Sequence, residues 1–371
     1  MISNKKKKHM KNKKVIVGLS GGVDSAAAAC LLLKQGYSVS GAIMSTWNGM
    51  AADDSHILKS GCYGPDEKYD IASAQKIADK LGIKLAIIDL KTEYQDYVIN
   101  YFKSEYQAGR TPNPCIRCNQ ILKFGLLIEK LRTAFDFDFF ATGHYARIIF
   151  NTAGRYSLLR GIDNSKDQSY FLYRLNQKQL SQILFPLGGM LKSEVRKIAA
   201  SLQLDLEHKK ESQNFASLGN DSILCRVECE PGEITDINGK ILGRHNGIKN
   251  YTIGQRKGIR VPSSEPLYVV KIDQKNNRII AGNERELYNK TIFISSLVWA
   301  QTNPPEHEIG AYVQIRYRHK AQKALIKPEG GDLVKIEFSE AQKAAAPGQS
   351  AVIYSDDEVL GGGIINETGN I

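Results

Sequence analysis

The run LSGGVDS at residues 19–25, called the phosphate loop below, has residue types that suit binding of an anion. Glycines let backbone N–H groups approach a phosphate closely, and the helix expected to follow presents its N-terminus to the same anion. Ser20 and Ser25 add hydroxyl donors, and the Asp24 carboxylate is a candidate ligand for Mg²⁺. No Gly-Lys-Ser/Thr ending follows, which excludes the phosphate-binding loop of kinases and GTPases. The run therefore predicts a nucleotide site, and the alternative is a tight, capped strand-to-helix turn.

A second cluster, GRTPNPCIRCN at residues 109–119, is followed by Lys123. Its two prolines stiffen the chain, and we expect the two cysteines at the start of a helix. The positive end of that helix and the charge of Arg117 favour a reactive thiolate. The Cys-x-x-Cys spacing also suits zinc or an iron–sulfur cluster, so Cys115 and Cys118 are candidate metal ligands as well.

Alternating strands and helices are predicted to position both clusters. Apolar runs at 14–19, 38–44, 84–90 and 138–143 predict buried strands, and helical patterns separate them. Strands spaced by helices of this length predict βαβ units and a doubly wound, mostly parallel sheet. After about residue 210, turn signals and short Ile-, Val- and Tyr-rich runs predict a small β-rich domain. A final series of strands predicts an antiparallel barrel or sandwich.

The predicted division of the chain is a disordered tail (1–13), a nucleotide-binding and catalytic domain (14–215), a small β-rich domain (216–288) and a β-barrel (289–371).

Charge and composition limit the classes of protein to which the chain can belong. The first 14 residues hold seven lysines and no acid, so the net charge of +11 falls to +4 over the rest. The tail is expected to be solvated, and phosphate contact is the alternative. No apolar stretch is long enough to span a membrane, and six cysteines without an export signal predict a cytoplasmic protein.

Three further runs complete a pattern: ATGHY at 141–145, KDQSYFL at 166–172 and YTIGQRKG at 251–258. With the phosphate loop, which is similar to the PP-loop of enzymes that split ATP between its α and β phosphates, they resemble the tRNA-specific 2-thiouridylase family. The matches run from residue 14 to about 355. The resemblance implies an α/β PP-loop domain followed by two β-rich domains. It implies adenylation of O2 of the tRNA wobble uridine, displacement of AMP by sulfur, and the partners ATP, Mg²⁺, tRNA and a sulfur-donor protein.

The resemblance also implies roles for individual residues. Cys118 would be the nucleophile, Asp24 would be a second catalytic residue, and Asn113, Pro114 and Cys115 would approach the target base. The residues implied to hold ATP are Gly18, Leu19, Ser20, Gly21, Gly22, Val23, Asp24, Ser25, Met44 and Gly143. The residues implied to contact tRNA are His144, Lys166, Asp167, Gln168, Arg316, Tyr317 and Gln349. Two of these residues have a structural alternative to tRNA contact. His144 could simply cap a strand or pack in the core. Arg316 lies on a predicted strand, in which side chains alternate between the two faces, and this alone would expose it to water.

The chain departs from the family at one position. The family carries a second, persulfide-bearing cysteine where this sequence has Ala216, after KKESQNF at residues 209–215. Alanine carries no sulfur, so three routes stay open. Cys225 or Cys229 could take over as the sulfur carrier, a metal or iron–sulfur cluster at the cysteines could serve, or free sulfide or an external donor could attack directly. Cys225 and Cys229 could also be strand residues without a role.

Two rival functions remain. One is a PP-loop ligase or amidase that acts on a small molecule, and AMP release that depends on added tRNA would distinguish it. The other is a degenerate paralogue that binds tRNA and ATP without transferring sulfur, which the alanine at position 216 supports. A binding-only protein would also be expected to lose the phosphate loop or Cys118, and this sequence keeps both.

Overall fold

The computed structural model describes residues 12–49, 63–203, 229–299 and 304–369. The Lys-rich tail through residue 11, Ala216 and Cys225 lie outside the described residues. The chain divides into two compact units. The first comprises Met1–Tyr97, Cys115–Gly219 and Asp357–Val359, and the second comprises Val98–Pro114, Asn220–Asp356 and Leu360–Ile371.

A parallel sheet is the centre of the first unit. Its strands are β1 (Lys14–Gly18), β2 (Ser38–Ser45), β3 (Leu85–Asp89), β4 (Phe139–Ala141) and, further along the chain, β7 (Ile183–Leu184). They lie in the order β3-β2-β1-β4-β7, and all four pairings are parallel. The chain winds outward from β1 in one direction and then returns to β4 on the other side, which confirms the predicted doubly wound sheet. The carboxyl ends of β1 and β4 flank the switch point, where such sheets bind ligands.

Helices cover this sheet and extend beyond it. The α-helices are α1 (Val23–Lys34), α2 (Glu67–Leu81), α3 (Lys91–Tyr94), α4 (Asn100–Gln107), α5 (Pro114–Arg117), α6 (Leu127–Ala134), α7 (Gln177–Ser181) and α8 (Lys192–Ala200). The described residues also contain two π-helical segments, Gln95–Ile99 and Cys118–Leu126, and short 3₁₀ turns at Ser169–Phe171, Ile248–Asn250 and Glu284–Leu287. Four consecutive alanines of α1, residues 26–29, are completely buried. Alanine has the highest helix propensity and the smallest side chain after glycine, so α1 packs close to the sheet.

The second unit contains two β structures. A four-stranded sheet in the order β10-β11-β8-β9 is formed by β8 (Gly232–Thr235), β9 (Ile241–His245), β10 (Tyr268–Asp273) and β11 (Arg278–Gly282). A barrel in the order β12-β15-β14-β13-β16-β17 is formed by β12 (Tyr288–Trp299), β13 (Ile309–Gln314), β14 (Gln322–Gly330), β15 (Leu333–Lys343), β16 (Ser350–Ser355) and β17 (Glu358–Gly369). Pairing of β12 with β17 closes the barrel. The β-barrel prediction is therefore confirmed.

A β-hairpin of the first unit was not predicted from the sequence. Strands β5 (Ala146–Phe150) and β6 (Tyr156–Arg160) pair antiparallel immediately after the segment that follows β4. Leu159 of β6 pairs in turn with Glu358. The signal in the sequence was weak because Ile149 and Phe150 are exposed, so the hairpin lacks a clear alternation of apolar and polar residues.

The predicted strand at Arg316 is wrong. Strand β13 ends at Gln314, and the chain then turns, with the His319 N–H donating to the Arg316 carbonyl at 3.1 Å. Arg318 has φ +66°, a left-handed conformation that no regular strand contains. The Arg316 guanidinium donates to the Lys343 carbonyl at 2.8 Å, so it lies against the backbone of the barrel.

Within the described ranges, no helix is both long enough and apolar enough to cross a membrane.

Candidate nucleotide and thiol site

The phosphate loop connects β1 to α1 with a geometry that suits an anion. Gly21 has φ +71°, and Gly22 is the N-cap of α1 without a side-chain cap. The Ser25 hydroxyl accepts from the Ser20 N–H at 3.3 Å and donates to the Gly22 carbonyl at 3.0 Å, which ties the two ends of the loop together. A helix N-terminus that no side chain caps fits a phosphate group.

Gly143 lies against the backbone of the phosphate loop. A β-carbon at this position would meet the carbonyl carbon and oxygen of Asp24 at 2.8 and 2.9 Å, so only glycine permits this approach. Met44 lies near the carboxyl end of β2, and Gly18 ends β1. The residues implied to hold ATP therefore all lie at the carboxyl-end edge of one sheet. Their contacts with ATP stay predictions.

Asp24 is held by two side chains, and sequence reasoning gave a role to neither of them. The Lys192 ammonium donates to both carboxylate oxygens at 2.7 and 2.8 Å, and the Tyr145 hydroxyl donates to one of them at 2.8 Å. The Lys192 side chain is only 9% exposed. It lies 168 residues from Asp24 in the chain, and no local pattern points to it. Because an ammonium already engages both oxygens, the arrangement does not fit Asp24 as a direct Mg²⁺ ligand.

The two cysteines of the second cluster lie in a continuous helical run, residues 114–134, called the thiol helix below. It begins with α5, continues through the π-helical segment that starts at Cys118, and ends with α6. Cys118 is buried, with 9% exposure, whereas Cys115 is half-buried, and both cysteines are in the thiol form. Throughout the described part of the chain, no three His, Cys, Asp or Glu side chains are grouped to hold a metal. The metal alternative therefore gains no support.

Side chains from elsewhere in the unit support the π-helical segment, in which i→i+5 bonding replaces the usual pattern. The Gln179 amide donates to the carbonyls of Gln120 and Phe124 at 2.9 and 3.0 Å. The Asn119 amide donates to the Phe171 carbonyl at 3.2 Å. The residue next to Cys118 is therefore anchored to the KDQSYFL run.

His144 joins the thiol helix to the segment that carries Gly143. Its ring packs on Phe124 at 5.6 Å and on Phe185 at 5.8 Å, and its Nδ1 hydrogen-bonds the Thr142 hydroxyl at 2.7 Å. Burial and the charge of Lys123 hold the pKa of His144 well below its usual value, so the ring is neutral. The packing alternative describes this geometry well, and a direct tRNA contact stays a prediction.

The Lys166-Asp167-Gln168 run differs in role from residue to residue. Asp167 is buried and accepts from the Arg160 guanidinium at 2.9 Å and from the N–H groups of Gly161 and Ser169 at 3.0 and 3.1 Å. The Gln168 side-chain oxygen accepts from the Tyr145 N–H at 3.0 Å, while Lys166 lies half-buried in a turn. Two members of the run thus organise the protein itself.

In the second unit, Gln349 holds the loop that precedes the thiol helix. Its amide donates to the carbonyls of Thr111 and Pro112 at 3.1 and 3.3 Å, and the Thr111 N–H donates to the Pro347 carbonyl at 2.8 Å. Gly348 has φ +90°, and a β-carbon there would meet the Thr111 backbone at 2.9 Å. This turn therefore positions the residues just before Asn113 and Pro114, which the resemblance implies to approach the target base.

Two other predicted residues lie in the same unit. Cys229 is a half-buried free thiol that precedes β8, so the idea that it is a strand residue is wrong. Tyr317 lies in the turn after β13, and the Arg318 guanidinium stands 5.7 Å from its ring centroid. The roles predicted for Cys229 and Tyr317 stay predictions.

The turn after β13 makes stability depend on pH. Burial, with a smaller effect of the Arg316 charge, lowers the pKa of His319 from 6.5 to about 4. The unfolded chain therefore binds a proton before the folded chain does, and this histidine's contribution is complete above pH 6.5 and is lost as the pH falls toward 4. We expect the free energy of unfolding, measured with urea, to fall over that range, and to fall less in His319→Gln. An identical pH dependence in both proteins would contradict the assignment.

The fold and the site together define a nucleotide-binding protein of the PP-loop class, with a buried thiol in the same unit as the phosphate loop and two β structures in a second unit. Models of three domains match consecutive segments: the tRNA methyl transferase HUP domain at 13–220, the tRNA methyl transferase PRC-barrel domain at 220–283 and the aminomethyltransferase beta-barrel domain at 289–365. The sequence-derived boundaries at 215/216 and 288/289 stay predictions.

Comparison with individual proteins specifies the family. The tRNA-specific 2-thiouridylase MnmA of Endomicrobium trichonymphae is 45% identical over 356 residues, which cover 95% of this chain and 98% of that protein. The tRNA-specific 2-thiouridylase MnmA 2 of Thermoanaerobacter sp. strain X514 is 43% identical, with coverage of 95% and 98%. The chain belongs to the tRNA-specific 2-thiouridylase family. A solved 4-thiouridine synthetase–RNA complex with bound ATP aligns over 56% of this chain and 45% of that chain at 14% identity, with a TM-score of 0.32.

Proposed function

We propose that this chain catalyses ATP-dependent 2-thiolation of the wobble uridine of tRNA. One observation carries the proposal: Gly143 packs on the phosphate loop, and its neighbour His144 packs on the thiol helix that contains Cys118. An activating nucleotide and a sulfur nucleophile would thus meet within a single unit. The names of the relatives support tRNA as the substrate.

The reaction needs two displacements. The uracil O2 attacks the α-phosphorus of ATP, and pyrophosphate leaves with the electrons of the broken P–O bond. A sulfur nucleophile then attacks carbon 2, and AMP leaves with the former O2, so that a C=S group replaces the C=O group. A carbonyl oxygen is a poor leaving group, which is why the adenylate is needed. The N-terminus of α1 would stabilise charge on the phosphates. The outer sulfur of a Cys118 persulfide would attack carbon 2, and a second thiol, from Cys225, Cys229 or a reductant, would then break the S–S bond of the adduct, which leaves C=S on the base and a disulfide on Cys118.

Mg²⁺ would enter on the phosphates of ATP, because Lys192 already engages the Asp24 carboxylate. The sulfur would come from a donor protein. With alanine at position 216, we favour transfer to Cys118 directly or through Cys225 or Cys229. A bound zinc ion or iron–sulfur cluster is the alternative, and nothing in the described residues adds weight to it.

Contacts with tRNA are proposed at Lys166, Arg316 and Tyr317. Lysine and arginine suit phosphate groups, and tyrosine suits stacking on an unpaired base. Asp167, Gln168 and Gln349 would act by holding the segments that face the substrate, since each is engaged in hydrogen bonds within its own unit.

Expression in a bacterium that lacks its own wobble 2-thiolation enzyme tests the proposal. We expect 2-thiouridine to return in digested bulk tRNA, detected by mass spectrometry. In vitro, the purified chain with tRNA, ATP and sulfide should release AMP only when tRNA is present. AMP release with a small acceptor and without tRNA would favour the ligase. ATP and tRNA binding without the thiolated nucleoside in either assay would favour the degenerate paralogue.

A further inference from the structure

The carboxylate of Asp24 presents an electrostatic problem. It lies in the first turn of α1, beside the uncapped helix N-terminus that suits the phosphates of ATP. Like charges a few ångströms apart repel strongly where water is partly excluded. An ionised carboxylate at this position would oppose the triphosphate unless a cation compensates it.

Lys192 supplies a cation with a fixed position. Its ammonium contacts both Asp24 oxygens, and it lies 5.6 Å from the centroid of the Tyr145 ring. Its backbone N–H donates to the Asp163 carboxylate at 2.9 Å, which anchors the first residue of α8. The next turn of that helix is held by Val195, which is completely buried. The ammonium is therefore held in place by its own helix as well as by Asp24.

The phosphate loop itself contains no lysine. The phosphate loops of kinases and GTPases carry one within the motif, where it reaches the phosphates. Here a lysine from a distant helix reaches the same region, and it contacts an aspartate of the motif. The geometry points to an indirect role for this lysine.

We propose that Lys192 is a positioning residue of the ATP site. It neutralises the Asp24 carboxylate and holds it against Tyr145, so that the triphosphate binds at the N-terminus of α1 without repulsion. This inference rests on the ATP-binding part of the proposed function and on no later step of the reaction.

Measurement of ATP affinity by isothermal titration calorimetry tests the inference without tRNA or a sulfur donor. We expect Lys192→Gln to weaken ATP binding by at least about tenfold, because an uncompensated carboxylate then faces the phosphates. Lys192→Arg should keep most of the affinity. Lys197→Gln is the matched control, since Lys197 is an exposed lysine in the last turn of the same helix.

The double variant Asp24→Asn/Lys192→Gln separates positioning from direct contact. If Lys192 acts through Asp24, removing the carboxylate restores affinity to within about threefold of wild type. If Lys192 contacts ATP itself, the double variant stays weak, and the inference is overturned. Unchanged affinity in Lys192→Gln would overturn it too.

As a control, thermal unfolding of every variant is measured to check that the variant is folded. Should Lys192→Gln fail to fold because it leaves Asp24 without its cation, the double variant carries the test, since it has no ionised group at either position. Weak binding by a folded double variant then counts against the inference. A wild-type protein that binds ATP with these responses but forms no 2-thiouridine would refute the proposed function and leave the role of Lys192 standing.

Discussion

Replacing Cys118 by serine is expected to abolish thiolation of tRNA while ATP binding is kept. Serine has nearly the same size, but its hydroxyl neither forms a persulfide nor attacks carbon 2 as a thiolate does. Cys118 lies in the thiol helix, outside the phosphate loop, so ATP affinity should stay within about twofold of wild type. The expected loss of 2-thiouridine formation is at least about 10³-fold. It is measured by mass spectrometry of digested tRNA after single-turnover reaction with a persulfide-bearing donor protein and a thiol reductant.

Cys30→Ala is the matched control for loss of a thiol. Cys30 is a buried free cysteine in α1, and we expect this variant to keep its thiolation activity. Cys229→Ser tests the substitute carrier in the same assay. Activity above a tenth of wild type in Cys118→Ser would refute the nucleophile assignment. Loss in Cys229→Ser, with ATP binding kept, would identify Cys229 as a carrier of the sulfur.

Removing the Asp167 carboxylate is expected to have the largest effect on stability. Its side chain is 7% exposed, it pairs with Arg160, and it accepts from two backbone N–H groups and from the Ser169 hydroxyl. Asp167→Ala would remove the carboxylate partner of the mostly buried Arg160 guanidinium. It would also remove the hydrogen bonds that hold the segment 161–169. Loss of one partner of a buried pair costs about 3–5 kcal/mol. Urea unfolding should show a decrease of that order.

Lys166→Ala is the control at the neighbouring position. Lys166 lies half-buried in a turn, and we expect its replacement to change the free energy of unfolding by less than about 1 kcal/mol. If Lys166 contacts tRNA, its replacement lowers tRNA affinity and leaves stability nearly unchanged. An Asp167→Ala protein of normal stability and weakened tRNA binding would show instead that Asp167 contacts the substrate directly.

Much of the fold could be predicted because its signals are local. Apolar runs separated by helices favour a parallel sheet, since a helix of this length can serve as the crossover that consecutive parallel strands need. The phosphate loop was recognisable because glycines, hydroxyls and a helix start occur within seven residues. The strand predicted at Arg316 failed for an equally local reason. Alternating residues continue past Gln314, where the strand ends. The residue with the left-handed conformation in the following turn is Arg318 and not a glycine, so no local signal in the sequence marks the turn.

The sequence by itself determined the first four parallel strands with the helices between them, the phosphate loop, the cysteine pair and, through shared motifs, the family. Only the tertiary structure decided which charges meet. It brought Lys192 to Asp24 across 168 residues, and it made Asp167 and Gln349 anchors of the protein's own loops. Propensity and periodicity act over a few residues, whereas an ion pair depends on where distant elements pack. A sequence therefore shows which side chains are available, and packing decides which of them meet.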